Sequence, residues 1–180
     1  MNRLTHRRLV RRLFSRDEAK RNRAATALIA AEDPRTTRRL ERLLEGQGRD
    51  EGRAAAAQVL GFGGEVSVAG ALVRRLAELE ESVTVRAHAA EALGHLLQHE
   101  PVLAATRTTI GAGLQDREPE IRFWCAFAAA ALNLQELRAR LERLREDGVD
   151  VEGWWTVGEE ADWALRCLDG EEDPPLPRAL

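Results

Sequence analysis

Three of the four histidines in the chain fall within residues 85–100, at spacings that a helix would align. His88, Glu91, His95 and His99 follow one another at steps of three or four residues, so one helical face would carry all of them. Imidazole and carboxylate groups spaced in this way can bind a metal ion. The motif His-Glu-x-x-His is absent, however, and every ligand would come from one helix. We interpret the row as a solvated polar stripe and predict no metal and no other cofactor; a metal site on this single helix is the alternative.

The other arrangements that support catalysis are weak. Cys125 and Cys167 are the two cysteines of the chain, and they form neither a Cys-x-x-Cys pair nor a disulfide framework. Neither a glycine-rich phosphate loop after a strand nor a Gly-x-Ser-x-Gly motif is present. There is also no secretory leader and no apolar run of membrane-spanning length. These observations predict a non-enzymatic cytoplasmic protein.

A repeated pattern of arginine, alanine, leucine and glycine organises the chain. Arg86-x-x-Ala89-Ala90-x-Ala92-Leu93-Gly94 has close copies that begin at Arg21 and Arg53 and a looser copy at Arg122. A fifth copy has Gly158 at the position of the arginine. These anchor positions are separated by 32, 33, 36 and 36 residues, which is the period of stacked helical pairs.

Each anchor segment follows a second amphipathic segment, and the breaks between them carry Gly, Pro and Asp. One helix pair cannot bury its apolar face alone, whereas five stacked pairs can. The sequence therefore predicts an all-α, right-handed α-solenoid of about five helix pairs over residues 1–170. Residues 171–180, "EEDPPLPRAL", are acidic and rich in proline. We predict that this tail is disordered, with a short polyproline-II ligand as the alternative.

The segments "DREPEIRFWCAFAAAAL" and "VRAHAAEALG" resemble HEAT repeats of the short bacterial type that is also found in phycobilisome lyases. The resemblance covers residues 3–169 and is specific for the fold rather than for the role. It implies a polar ladder between repeats, formed by the acidic residue near each turn and the arginine that opens the second helix. The matching positions are Asp17/Arg21, Asp50/Arg53 and Asp116/Arg122; at the third repeat only Glu81 lies near Arg86.

In such stacks the second helix of each pair lines the concave face. We expect the positions one, two, five and nine after each anchor to face this groove, which makes its lining polar at first, then rich in histidine, then aromatic. Exposed aromatic side chains often anchor partners. The sequence therefore predicts a protein- or peptide-binding adaptor or scaffold. Its predicted contact residues are Phe62, His88, Glu91, Phe123, Trp124, Phe127 and Trp163.

The C-terminal part of the chain offers an alternative explanation for these aromatic residues. The C-terminal helices could cover Phe123, Trp124 and Phe127, because Trp154, Trp155 and Trp163 follow closely and also need cover. The segment 147–158, "DGVDVEGWWTVG", is either a binding loop or a cap that places Trp154 or Trp155 over the last repeat. We favour the cap.

The charge of the chain is unevenly distributed. Residues 1–45 carry 13 Lys or Arg and 6 Asp or Glu, whereas residues 46–180 carry 14 and 24. This polarity allows assembly through a basic and an acidic end. It also raises a nucleic-acid-binding alternative through the basic N-terminal repeats, although the predicted groove is basic only at Arg21 and Arg23. The resemblance adds a third alternative, a bilin-lyase-like subunit, for which the sequence offers no chromophore contact.

Overall fold

The structure, a computed structural model, describes residues 1–172 and 174–178. These residues form ten α-helices and contain no β-strand. In chain order the helices are α1 (Arg3–Arg12), α2 (Glu18–Ile29), α3 (Arg35–Leu44), α4 (Asp50–Gly63), α5 (Ala69–Ala77), α6 (Val83–Leu96), α7 (Ala104–Gly113), α8 (Pro119–Ala131), α9 (Arg138–Leu144) and α10 (Val157–Leu168). None of the described helices is long and apolar enough to span a bilayer.

Side-chain caps determine where several helices begin. The side chains of Asn2, Asp17 and Ser82 each accept a hydrogen bond from a backbone N–H in the first turn of α1, α2 and α6. Thr156 and Glu159 form a reciprocal capping box at the start of α10. These bonds satisfy N–H groups that have no partner within the helix.

Consecutive helices pair as predicted, and the pairs stack into two layers. The even-numbered helices form an inner layer in which α2 contacts α4, α4 contacts α6, α6 contacts α8, and α8 contacts α10. The odd-numbered helices form an outer layer, and each packs against the inner helix that follows it. The inner helices contact one another more extensively than the outer ones do. The predicted all-α solenoid of five HEAT-like helix pairs is confirmed.

Two repeat glycines allow the inner helices to approach closely. A Cβ atom at Gly61 would lie 2.7 Å from the Cα atom of Ala92 on α6, and one at Gly94 would lie 3.2 Å from the Cα atom of Ala128 on α8. At Gly61 the nearest obstacle is backbone and cannot rotate away, whereas at Gly94 the Cε1 atom of the Phe127 ring is nearer still, at 2.8 Å. The glycine at the end of the repeat motif is thus a packing requirement between neighbouring repeats.

We expect Gly61→Ala to lower the free energy of unfolding by about 1–2 kcal/mol, because the overpacking cost exceeds the gain in helix propensity. Gly70→Ala is the matched control. Gly70 is also helical, but the nearest atom to an added Cβ is the mobile Arg74 Nη1 at 3.5 Å, so this change should stabilise the protein by about 0.5–1 kcal/mol. Urea denaturation of both variants checks the difference. Equal effects would contradict this account of the α4–α6 contact.

Three of the four anchor arginines form a ladder, in which each pairs with the acidic residue of the following repeat. The three pairs are Arg53–Glu81, Arg86–Asp116 and Arg122–Asp147. Arg53 also pairs with Asp50, as the resemblance to HEAT repeats implied. Arg21 instead donates to the backbone carbonyl oxygens of Ser15 and Arg16, and no described residue forms an ion pair with it. The ladder therefore joins repeats two to five and does not include the first.

The predicted domain boundary at residue 170 stays a prediction. Residues 173, 179 and 180 of the tail lie outside the described residues. Residues 174–178 contact α10: Pro174 is buried, and the Arg178 guanidinium lies 2.8 Å from a carboxylate oxygen of Glu159.

Candidate functional site

Six of the seven predicted contact residues line one cavity on the inner layer. Its volume is about 270 Å³. The lining residues are Phe62, Glu91, His95, Phe123, Trp124, Phe127, Trp154, Trp155, Glu160, Trp163 and Leu176. His88 is the predicted residue that does not line it; its Nδ1 atom lies 2.9 Å from the backbone oxygen of Thr84, one turn earlier in α6.

Four aromatic rings, which we call the aromatic row, cross the inner layer from α4 to α10. The rings of Phe62 and His95 are 4.1 Å apart, those of His95 and Phe127 are 4.9 Å apart, and those of Phe127 and Trp163 are 6.5 Å apart and nearly parallel. Each ring belongs to a different inner helix. Phe62 is 50% exposed, and the other three rings are half-buried. The repeat stack thus builds a continuous aromatic surface from residues far apart in sequence.

The prediction that Phe123 and Trp124 are exposed in the groove is wrong. Phe123 is only 1% exposed and Trp124 only 8%. The segment before α10 folds back and places Trp155 against Phe123 and Trp154 against Trp124, with ring centroids 5.9 Å and 5.1 Å apart. Both residues therefore support the floor of the cavity rather than its open surface.

The same segment supports the predicted cap. Trp155 is buried, and its indole N–H donates to the Glu160 carboxylate at 2.8 Å. Trp154 is 38% exposed and lies at the rim of the cavity. The two tryptophans therefore differ in role: Trp155 closes the last repeat, and Trp154 borders the candidate site.

The expectation that positions one and two after each anchor are exposed is wrong for most of these positions beyond the first repeat, although His88 and Glu159 are only half-buried. Ala54, Ala55 and Ala87 are buried, and so is Glu160. Because the inner helices approach so closely, these positions lie in the interface between helices. Positions five and nine remain accessible, and they supply the aromatic row.

Three ionisable groups border the cavity, and burial changes the pKa of each. Burial raises the pKa of Glu160 to about 7, although the hydrogen bond from Trp155 opposes the shift. Burial also raises the pKa of Glu91, against the attraction of His88, and lowers the pKa of His95. No described Lys or Arg lines the cavity. The site favours neutral side chains and offers nothing to neutralise a phosphate.

The histidine row is divided between different environments. The ring of His95 lies between Phe62 and Phe127, whereas His99 is exposed beyond the end of α6. Within the part of the chain that the structure describes, no three His, Cys, Asp or Glu side chains converge in a way that could hold a metal ion. His95 thus contributes to the site as an aromatic ring.

Most basic residues of the N-terminal repeats lie on the outer helices α1 and α3, whereas Lys20, Arg21 and Arg23 lie on the inner helix α2. A cleft of about 630 Å³ between the outer helices α1 and α3 is lined by five arginines. They are Arg7, Arg11, Arg35, Arg39 and Arg42. Arg35 is already paired with Asp33. The strongly basic surface is therefore separate from the aromatic row.

Five residues that line the cavity are absent from the predicted contact set, namely His95, Trp154, Trp155, Glu160 and Leu176. Glu160 and Trp155 form a buried hydrogen-bonded pair across the α10 N-terminus, and Leu176 reaches the cavity from the tail. In the segment "WWTVGEEADW", Glu160 lies three residues before Trp163 and therefore on the same face of a helix. This spacing could have suggested that Glu160 is buried. Nothing local indicates the position of Leu176.

The fold and the site define a short HEAT-like α-solenoid with an aromatic inner surface. No family model matches the chain, and no curated protein matches it. Among solved structures, the chain resembles one from the complex of CpcE and CpcF of phycocyanin lyase from Nostoc sp. PCC7120. The TM-score is 0.72 at 19% identity, over 91% of this chain and 99% of that chain. It also resembles an engineered protein of the Northeast Structural Genomics Consortium, with a TM-score of 0.55 at 21% identity, over 93% and 80% of the two chains.

Proposed function

We propose that the chain is a non-enzymatic protein- or peptide-binding module that uses the inner surface of its solenoid. The aromatic row carries this proposal, because it places four rings from four helices beside a cavity of side-chain size. In a chain with 4% aromatic residues, this concentration is not a general property of the sequence. Aromatic residues in such patches dominate the energetics of many interfaces.

The cavity favours an apolar partner group over a charged one. Its aromatic walls offer dispersion contacts and apolar area, and burial of about 100 Å² of apolar surface stabilises a complex by about 2.5 kcal/mol. The raised pKa of Glu160, about 7, reduces the charge that a partner would have to desolvate at neutral pH. An apolar or aromatic side chain of a peptide therefore fits the site best.

Peptides selected on the wild-type protein from a random library test the proposal. We expect Phe62→Ala and Phe127→Ala to weaken the binding of selected peptides by about tenfold or more, because each removes a ring from the contact surface. Fluorescence polarisation measures the affinities. Phe62 is 50% exposed, so its replacement leaves the core intact.

Leu79→Ala is the matched control, since Leu79 is 69% exposed and lies outside the aromatic cavity. The affinity of the Leu79→Ala variant for the selected peptides should equal that of the wild type. Binding should also persist between about 50 and 200 mM salt, where phosphate-directed binding falls by orders of magnitude. Equal affinities of all variants, or a steep salt dependence of peptide binding, would contradict the groove assignment.

A bilin-lyase-like subunit is the second candidate function. The observation that favours it is the TM-score of 0.72 to a chain of a two-protein lyase complex, almost all of which is covered. On this hypothesis the chain pairs with a second solenoid and the aromatic cavity contacts a linear tetrapyrrole. Titration with phycocyanobilin, followed by visible absorbance, tests it. A spectral shift that Trp154→Ala abolishes would support this function over the adaptor.

A further inference from the structure

The tail returns along α10 because of the way this helix ends. Gly170 has a φ of +85°, a left-handed conformation that glycine adopts without strain. The N–H of Gly170 donates to the carbonyl of Cys167, and the N–H of Glu171 donates to that of Arg166. This pair of bonds is a Schellman motif, which reverses the chain at a helix C-terminus. The residues that follow are therefore directed back toward the aromatic row.

The tail then makes a specific hydrogen bond to the aromatic row. The indole N–H of Trp163 donates to the backbone carbonyl oxygen of Pro174 at 3.0 Å, and Pro174 is buried. Leu176 lines the aromatic cavity, whereas Pro175 and Pro177 line the neighbouring cleft, which Trp163 also borders. Successive tail residues thus point into two adjacent depressions on either side of one tryptophan.

An ion pair holds the far end of this segment. The Arg178 guanidinium lies 2.8 Å from Glu159 and 3.3 Å from Asp150. Both acidic side chains are substantially exposed, so the pair contributes little to stability and separates readily. Leu176 remains 52% exposed, and Phe62 at the other end of the row is 50% exposed. The tail therefore occupies one edge of the aromatic surface and leaves the rest open.

These contacts have the chemistry by which proline-rich segments are recognised. A proline-rich strand adopts polyproline II, in which the backbone carbonyl groups have no internal hydrogen-bond donors. Grooves that bind such strands combine aromatic walls with donors for these carbonyls. The ordering cost is low because proline already restricts the backbone. Trp163 supplies both the aromatic wall and the donor.

We infer that the aromatic row binds a proline-rich segment of a partner, and that residues 174–178 are an internal ligand that competes with it. This inference rests on the proposed peptide-binding function and specifies its ligand class. A tethered segment acts at a high effective concentration, on the order of millimolar. The tail therefore lowers the apparent affinity for any proline-rich partner until it is displaced.

A synthetic peptide with the sequence of residues 171–178 tests this inference on the full-length protein. We expect the double variant Leu176→Ser/Arg178→Glu, which weakens the tail contacts, to bind the peptide about tenfold more tightly than the wild type. In that background, Trp163→Phe should reduce the affinity about tenfold, because the ring remains but the donor is lost. Leu79→Ala is the control, since Leu79 is 69% exposed and lies outside the aromatic cavity, and it should leave the affinity nearly unchanged.

A peptide with alanine at each proline should bind at least about tenfold more weakly than the proline-rich peptide. Equal affinities for the two peptides, or equal affinities of the wild type and the tail-weakened variant, would overturn the inference. If library-selected peptides bind and depend on Phe62 while the proline-rich peptide does not bind, the inference fails and the proposed function stands. If neither class of peptide binds, both fail.

Discussion

Replacing Arg86 with methionine should lower the free energy of unfolding by about 3–5 kcal/mol, the usual cost of leaving a buried charge unpaired. Arg86 is 5% exposed and donates both to Asp116 of the next repeat and to the backbone carbonyl of Leu76. Without the guanidinium, Asp116 keeps the N–H of Glu118 but loses its ion pair. Urea denaturation at neutral pH measures the effect.

Two further variants determine whether loss of the Arg86–Asp116 ion pair causes this destabilisation. Arg107→Met removes an ion pair with Glu136 in which both side chains are nearly half exposed, so it should cost less than about 1 kcal/mol. Adding Asp116→Asn to Arg86→Met removes the orphaned charge while keeping an acceptor for the Glu118 N–H, and should restore part of the loss. If Arg86→Met costs no more than Arg107→Met, the ladder does not hold the repeats together.

The cost of Arg86→Met should also depend on pH. Burial of Asp116 by itself would raise the pKa of its carboxyl group. The hydrogen bonds from Arg86 and from the Glu118 backbone nevertheless lower this pKa below its ordinary value of 3.8. The stability from this pair is therefore fully present above that value and is lost as the pH falls through the lowered pKa. The wild type and the variant should converge in strongly acidic solution.

Replacing Glu160 with glutamine should stabilise the protein by about 3 kcal/mol at a pH of about 8. Glu160 is 2% exposed, and burial raises its pKa from 4.5 to about 7. A raised carboxyl pKa gives stability that is fully present below pH 4.5 and is lost as the pH rises to about 7. Glutamine does not ionise and can still accept the Trp155 N–H, so the variant should lack this loss.

Denaturation at pH values of about 4 and about 8 separates the two ionisation states of Glu160. The stabilisation by Glu160→Gln should be small at the lower pH and large at the higher one. Glu159→Gln is the neighbouring control, because hydrogen bonding to Thr156 lowers the pKa of Glu159; this change should destabilise the protein at the higher pH. A pH-independent effect of Glu160→Gln would show that Glu160 does not titrate as described.

The sequence was sufficient to predict the repeat architecture because its determinants are local. The spacing of the anchor arginines and the small residues after them specify each inner helix and its closest neighbours. The same spacing placed Phe62, Phe127 and Trp163 on accessible positions. These residues share the surface because the solenoid is a regular stack, so position within a repeat translates into position in space.

The burial of Phe123 and Glu160 depends on contacts that no repeat pattern encodes. Both are covered by Trp155, which reaches them through an irregular segment before α10. Asp147 was missed as the partner of Arg122 because it lies 25 residues further along the chain, outside any copy of the motif. Terminal repeats need atypical closure, and such closure is specific to each chain.

The arginine ladder should make one end of the array less stable than the other, so that unfolding begins at that end. Its contacts begin at Arg53 and end at Asp147, so they link the last four pairs and leave the first pair outside. At the far end, a Cβ atom at Gly158 would lie 2.4 Å from the Arg145 carbonyl oxygen, which excludes a fourth rung. Since stability in a linear array is the sum of its neighbour interfaces, α1 and α2 form the least cooperative unit. The most basic part of the protein is thus the part that opens first, while the aromatic row belongs to the block that unfolds together.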